Sequence, residues 1–172
     1  RVLVTQCFEW GGYHLTRDLS AGLHISFEEA DELIMSYGIS SSLMASDREG
    51  DDANPGAVPN GAEHLDAPIK LKTNVPGAPP IVKRNDLETI IYDRAKELMT
   101  KVRQYLQARG LMRNLVCGLV LTGGASDIKN HVELARTTLQ VSARKGIPNK
   151  IEVAPNAVRT PAFSAAVGIV RH

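Results

Sequence analysis

Residues Cys117 to Ser126 read C-G-L-V-L-T-G-G-A-S, a run of β-favouring apolar residues (Leu119, Val120, Leu121) that stops at Thr122 and two consecutive glycines. Ala125 and Ser126 follow, and the spacing predicts an amphipathic helix from about Ile128 to Leu139. Glycines between a strand and a helix let backbone approach a ligand that a Cβ would obstruct. The following helix N-terminus adds unpaired N–H groups and a positive dipole end. Such a turn suits contact with a nucleotide, and the same spacing also serves tight strand–helix packing, so spacing alone leaves both open. Ser126 reads as a donor to ribose or base, or as the N-cap of its helix, with the cap the simpler role. Elsewhere no Ser/His/Asp set, metal-spaced Cys/His group or paired-carboxylate constellation rises above chance. His14, His131 and His172 are isolated, and Arg144-Lys145 reads as solvated charge rather than a phosphate contact.

The bulk properties exclude several classes. A chain of 172 residues supports one domain or two small subdomains with an adequate core. A net charge of +1 makes no bulk electrostatic case for nucleic acid, and 5% aromatic content argues against base-stacking platforms. Cys7 and Cys117 lie in apolar, strand-like runs and are expected as small buried hydrophobes, with neither a disulfide nor a metal pair, as in a reducing setting. No apolar stretch approaches the ~20 residues of a membrane span, and no signal peptide is visible.

The elements that must position the glycine turn follow from periodicity. Alternation from Val2 to Trp10 predicts a largely covered strand ending at Gly11-Gly12. Leu15, Leu19 and Leu23 predict a short helix. Ser26-Phe27-Glu28-Glu29 is a capping-box signature for a second, lined by Ala30, Leu33, Ile34 and Tyr37 and closed by Gly38. Six of the nine prolines fall between residues 47 and 80, which predicts a flexible loop containing one edge strand at Ile69 to Val75. Asn85-Asp86-Leu87-Glu88 reads as a second capping box, opening a helix of roughly 35 Å that runs to Gly110. Strands at Leu115 to Thr122 and Val141 to Lys145 bracket the helix after the glycines, a strand–helix–strand unit of the α/β kind. Thr160-Pro161 starts a closing helix whose Ala165, Ala166 and Gly168 leave room for close approach to the sheet or to the glycine turn.

Taken in order, L-V-L-T-G-G-A-S-D-I, the basic strand and the closing P-A-F-S-A-A-V-G-I-V resemble the last nucleotide-binding subdomain of the bacterial actin-like ATPases, most closely the FtsA cell-division family. W-G-G-Y-H-L-T-R-D-L is similar to that family's G-G-x-H-V-T-x-D-I segment, and E-E-A-D-E-L-I-M-S-Y-G to its A-E-x-x-K-x-x-Y-G helix. The likeness covers most of the chain outside residues 45 to 80. It implies an α/β, actin-like (ribonuclease H-like) ATPase half, a mixed sheet flanked by helices with a smaller inserted lobe. Residues 1–12 and 81–172 would form the sheet-containing subdomain and residues 13–80 the smaller lobe.

The resemblance implies nucleotide contacts at Gly123, Gly124, Ala125, Ser126 and Asp31. ATP and Mg²⁺ would be the ligands of the intact protein, bound weakly or not at all by these residues alone. It implies self-polymerisation and an FtsZ-like partner. It also implies attachment at the inner face of the cell membrane through a segment not in this sequence. Two departures qualify this. Ile34 stands where the wider superfamily has a Lys facing the nucleoside, which favours an ordinary solvated carboxylate for Asp31. The family's two glycine-rich phosphate hairpins are absent, and with no initiator Met the chain is expected to be a piece of a larger protein. Two alternatives stay open: an actin homologue of type IV pilus assembly, and a degenerate actin-fold interaction module that binds no nucleotide.

Overall fold

Leucines four residues apart need a common surface to cover, and the first two helices supply one to each other. In the computed structural model, which describes residues 2–47, 67–72, 77, 79–148 and 158–171, α1 spans Gly12–Leu23 and α2 spans Phe27–Tyr37. Leu15, Leu19 and Leu23 of α1 and Ala30 and Ile34 of α2 are buried together. Ser26 caps α2 as its sequence predicts, accepting the Glu29 N–H at 3.2 Å, and Glu28 and Glu29 place negative charge at the positive dipole end. Gly38 closes α2 with φ +69, and a Cβ there would sit 2.5 Å from the Lys129 Cβ. The six-residue helix α3, Ser41–Ser46, adds Met44 to the core.

The long helix α4 runs from Arg84 to Ala108 and buries Leu87, Ile91, Ala95 and Met99 on one stripe. The capping box expected at Asn85 to Glu88 does not form. Strand β2 (Ile81–Lys83) runs straight into the helix, so Asn85 is already inside its first turn, and the N-cap, Lys83, makes no side-chain cap. Glu88 is instead buried against Arg84, with Nε donating to its carboxylate at 2.6 Å. Strand β1 (Pro68–Lys70) pairs antiparallel with β2, matching Ile69 to Val82, which realises the first part of the expected edge strand. Leu71 and Lys72 lie beyond the end of β1 and are not part of the strand; the remainder of that expectation, and most of the predicted flexible loop, lie outside the described residues.

Beyond α4, Leu119–Leu121 (β3) pairs in parallel with Ala143–Lys145 (β4), and helix α5, His131–Leu139, connects them. Leu134, Ala135 and Leu139 bury against α4, and the Arg103 guanidinium donates to the Thr138 carbonyl at 3.0 Å across that seam. Helix α6 spans Ser164–Arg171. The architecture is mixed α/β, with two separate two-stranded sheets among the described residues and a core built mainly between α1, α2, α4 and α5.

Three expectations are corrected. Residues 2–10 form no strand, because alternation makes a strand only where a neighbour offers backbone partners, and β3 pairs with β4 instead. Val2 and Leu3 are exposed, and the segment lies by its aromatic rings on α4. Phe8 meets Tyr105 edge-on at 5.6 Å, and Lys101 Nζ stands 3.8 Å from the Trp10 ring centre. Both cysteines are exposed, Cys7 on that unpaired segment and Cys117 in the bend ahead of β3. In α6, Ala165, Ala166 and Gly168 face solvent; the close approach to the glycine turn is made at Pro161 and Ser164, just ahead of them and at its first residue.

Candidate functional site

Strand β3 ends at Leu121, and the chain turns at Gly123 with φ 88 and ψ 168, a conformation open essentially to glycine. One turn of 3₁₀ helix, Gly124–Asp127, follows. Three neighbours fix this turn. The Gly123 N–H donates to the Pro161 carbonyl at 2.9 Å, Thr122 and Ser164 share a hydroxyl contact of 2.5 Å, and Lys145 pairs with Asp127 at 2.8 Å. On its inner side Ala125 packs against the first residue of α1, where a Cβ on Gly12 would lie 3.2 Å from the Ala125 Cβ. On the other side, among the described residues, the turn is bare: a Cβ on Gly123 or Gly124 would meet nothing within 4 Å. The Gly124 and Ala125 N–H groups take no hydrogen-bond partner among the described residues.

Ser126 is not an N-cap. Its hydroxyl turns back to donate to the Gly123 carbonyl at 2.8 Å, its N–H donates to the same oxygen at 3.0 Å, and the side chain is only 2% exposed. It therefore clamps the turn from within, while α5 starts later, capped by the backbone of Asn130 in the left-handed region. Asp31 is exposed on α2 and does not join the turn directly. The Thr16 hydroxyl lies 3.2 Å from its carboxylate and 3.3 Å from the Gly12 carbonyl, one proton between two acceptors, so Asp31 reaches the turn only through α1. Ile34 lies in the core, so that position presents no group to a ligand.

His131 has no sequence signal beyond its residue type, and the structure brings it to this site. Its Nδ1 lies 2.7 Å from the Ala125 carbonyl oxygen and its ring is 4% exposed. Burial holds its pKa below the ordinary histidine value, opposed by that hydrogen bond, so the ring is neutral at pH 7. Gly12, Pro161 and Ser164 lie in segments that the sequence marks, but their contacts with this turn depend on which segments meet.

The arrangement offers open backbone and a hydroxyl-lined seam, and among the described residues no acid–base pair stands over the turn. Among the described residues no group of three or more His, Cys, Asp or Glu is placed to hold a metal ion. No helix among them is long and apolar enough to cross a membrane.

The family model described as "Cell division protein FtsA" matches residues 2–168. The chain belongs to the FtsA family. It is similar to "Cell division protein FtsA" of Rhizobium meliloti (strain 1021), at 35% identity over 160 residues that cover 93% of this chain and 33% of the relative. The FtsA of Agrobacterium fabrum is 31% identical over 170 residues, covering 99% of this chain and 35% of its own length. That of Pseudomonas aeruginosa is 26% identical over 161 residues, 94% of this chain and 34% of the relative. This FtsA-family chain thus spans about a third of the length of the curated relatives it matches.

Proposed function

We propose that this FtsA-family chain belongs to a bacterial cell-division protein of the actin fold, and that it supplies part of an adenine-nucleotide site at Gly123 to Ser126. The observation that carries the reading is the bareness of the turn. Two glycines, one held at φ 88, leave a surface that no side chain among the described residues fills, directly after the strand of a parallel pair. The family match supports cell division as the setting. In the same reading the α1–α2 region forms the smaller lobe, and Asp31 lies at the rim of the site.

The finer roles belong to the whole protein. They are polymerisation of the actin-fold body and attachment of an FtsZ-type partner to the inner face of the membrane. Holding triphosphate and Mg²⁺ needs backbone donors around the β- and γ-phosphates, and the family's glycine-rich hairpins that supply them are absent from this sequence. Ile34 gives the nucleoside no donor. Loss of one charged hydrogen bond weakens binding about ten- to over a hundredfold.

The expected behaviour of these 172 residues is therefore ATP binding no tighter than about millimolar and no turnover. Calorimetric titration with a phosphate-release assay on this chain tests it. Micromolar affinity or steady hydrolysis would contradict the reading.

A further inference from the structure

The His131 ring is an expensive choice for its position. Its Nδ1 faces the Ala125 carbonyl at 2.7 Å, so Nδ1 carries the proton and Nε2 is left as a bare acceptor. Nε2 is buried with no hydrogen-bond partner among the described residues. A buried unpaired acceptor is unfavourable, and an apolar side chain of similar size would fill the same space without that penalty. What the histidine alone provides is a second donor to the Ala125 carbonyl, which otherwise receives only the longer Ile128 N–H bond at 3.3 Å. The anchor behind the ring is firm. Asn130, one residue earlier, donates from its side chain to the Ile39 carbonyl at 2.8 Å, tying the start of α5 to the end of α2.

We propose that His131 is a positioning residue for the glycine turn: its Nδ1–H holds the Ala125 carbonyl inward and thereby keeps the Gly123–Gly124 backbone presented to ligand. The carbonyl sits in the middle of the turn, between the bare glycines and the Ser126 clamp. With it held from α5, the turn is locked to the helical core and not only to strand β3. The ring touches no ligand; it acts through the backbone. This inference rests on the reading of the turn as a nucleotide-contacting surface, and its test is arranged so that the two can fail separately.

The experiment compares the intact protein with His131→Leu, which keeps the apolar volume and removes the donor, and His131→Asn, which returns a side-chain N–H near the Nδ1 position. Three readings are taken: the tautomer of His131 by nitrogen-15 NMR, amide hydrogen exchange of Ser126, and ATP affinity by calorimetry. The parent is expected to show the Nδ1–H tautomer at pH 7.5. Leucine is expected to speed Ser126 exchange and weaken ATP binding, each about five- to tenfold, as loss of one neutral hydrogen bond implies. It should leave the urea midpoint unchanged or higher. Asparagine is expected to recover most of both losses. The proposal is overturned by an Nε2–H tautomer, by wild-type exchange in His131→Leu, or by an asparagine variant as impaired as leucine. If the parent binds no ATP, the nucleotide reading falls, while the tautomer and exchange results still decide the clamp.

Discussion

Gly38 and Gly124 both sit beside a helix end, yet their surroundings are opposite. A Cβ on Gly38 would press into the Cβ, Cα and carbonyl oxygen of Lys129 at 2.5, 3.1 and 2.9 Å, whereas one on Gly124 would meet nothing within 4 Å among the described residues. The first glycine is required by the fold: it lets the end of α2 meet the segment before α5, where the Ile39 N–H donates to the Lys129 carbonyl at 3.0 Å. The second is required by no contact among the described residues. A glycine that leaves open space next to a turn fixed on its other side is the surface that the proposed nucleotide site uses. The same residue type thus reports close packing in one region and open space in the other, and only the neighbours tell them apart.

Substitutions sharpen the contrast. Gly38→Val meets backbone and adopts a positive φ at once, so it is expected to cost about 4 kcal/mol or to prevent folding, read as a collapse of the urea midpoint. Leu19→Ala removes a fully buried side chain from the α1–α2–α4 core and should cost about 3 kcal/mol in the same assay. Gly123→Ala meets no atom but inherits φ 88, so it is expected to cost about 1–2 kcal/mol, all of it backbone strain. A loss at Gly123 as large as that at Gly38 would show that the turn is packed after all.

A smaller effect separates the turn from the core by pH. Burial holds the folded pKa of His131 below the ordinary histidine value of about 6.5. The unfolded chain therefore takes up the proton first as pH falls. The stability from its neutral form is fully present above about pH 6.5 and declines below that value until the folded ring also protonates. Urea midpoints at pH 7.5 and 5.5 should fall for the parent and fall less for His131→Leu; equal declines would remove His131 as the cause.

Much of the core was legible because periodicity specifies it redundantly. Leu15, Leu19 and Leu23, the Ser26 cap and the Gly38 stop each report the same pair of helices, and all are found where the spacing puts them. The stretch from Val2 to Trp10 shows the limit. Alternation states which residues share a face and says nothing of whether a partner strand is available, and here the aromatic rings found α4 instead. Ser126 and His131 show a second limit. Both are polar residues whose roles depend on one nearby carbonyl each, Gly123 and Ala125, and for Ser126 a difference of a few residues in where the helix begins converts a cap into an internal clamp. The glycine pair was visible in sequence; that its outer face is bare was not, because bareness is a property of neighbours distant in the chain.

The measurement that bears most directly on the central claim is calorimetric titration of ATP into the intact protein carrying Gly124→Val, beside a urea unfolding curve of the same sample. Open space around Gly124 predicts a stability within about 0.5 kcal/mol of the parent, as for surface substitutions generally. A bulky side chain on the ligand face predicts loss of nucleotide binding. Unchanged ATP affinity in a folded Gly124→Val protein would contradict the account and place the nucleotide elsewhere.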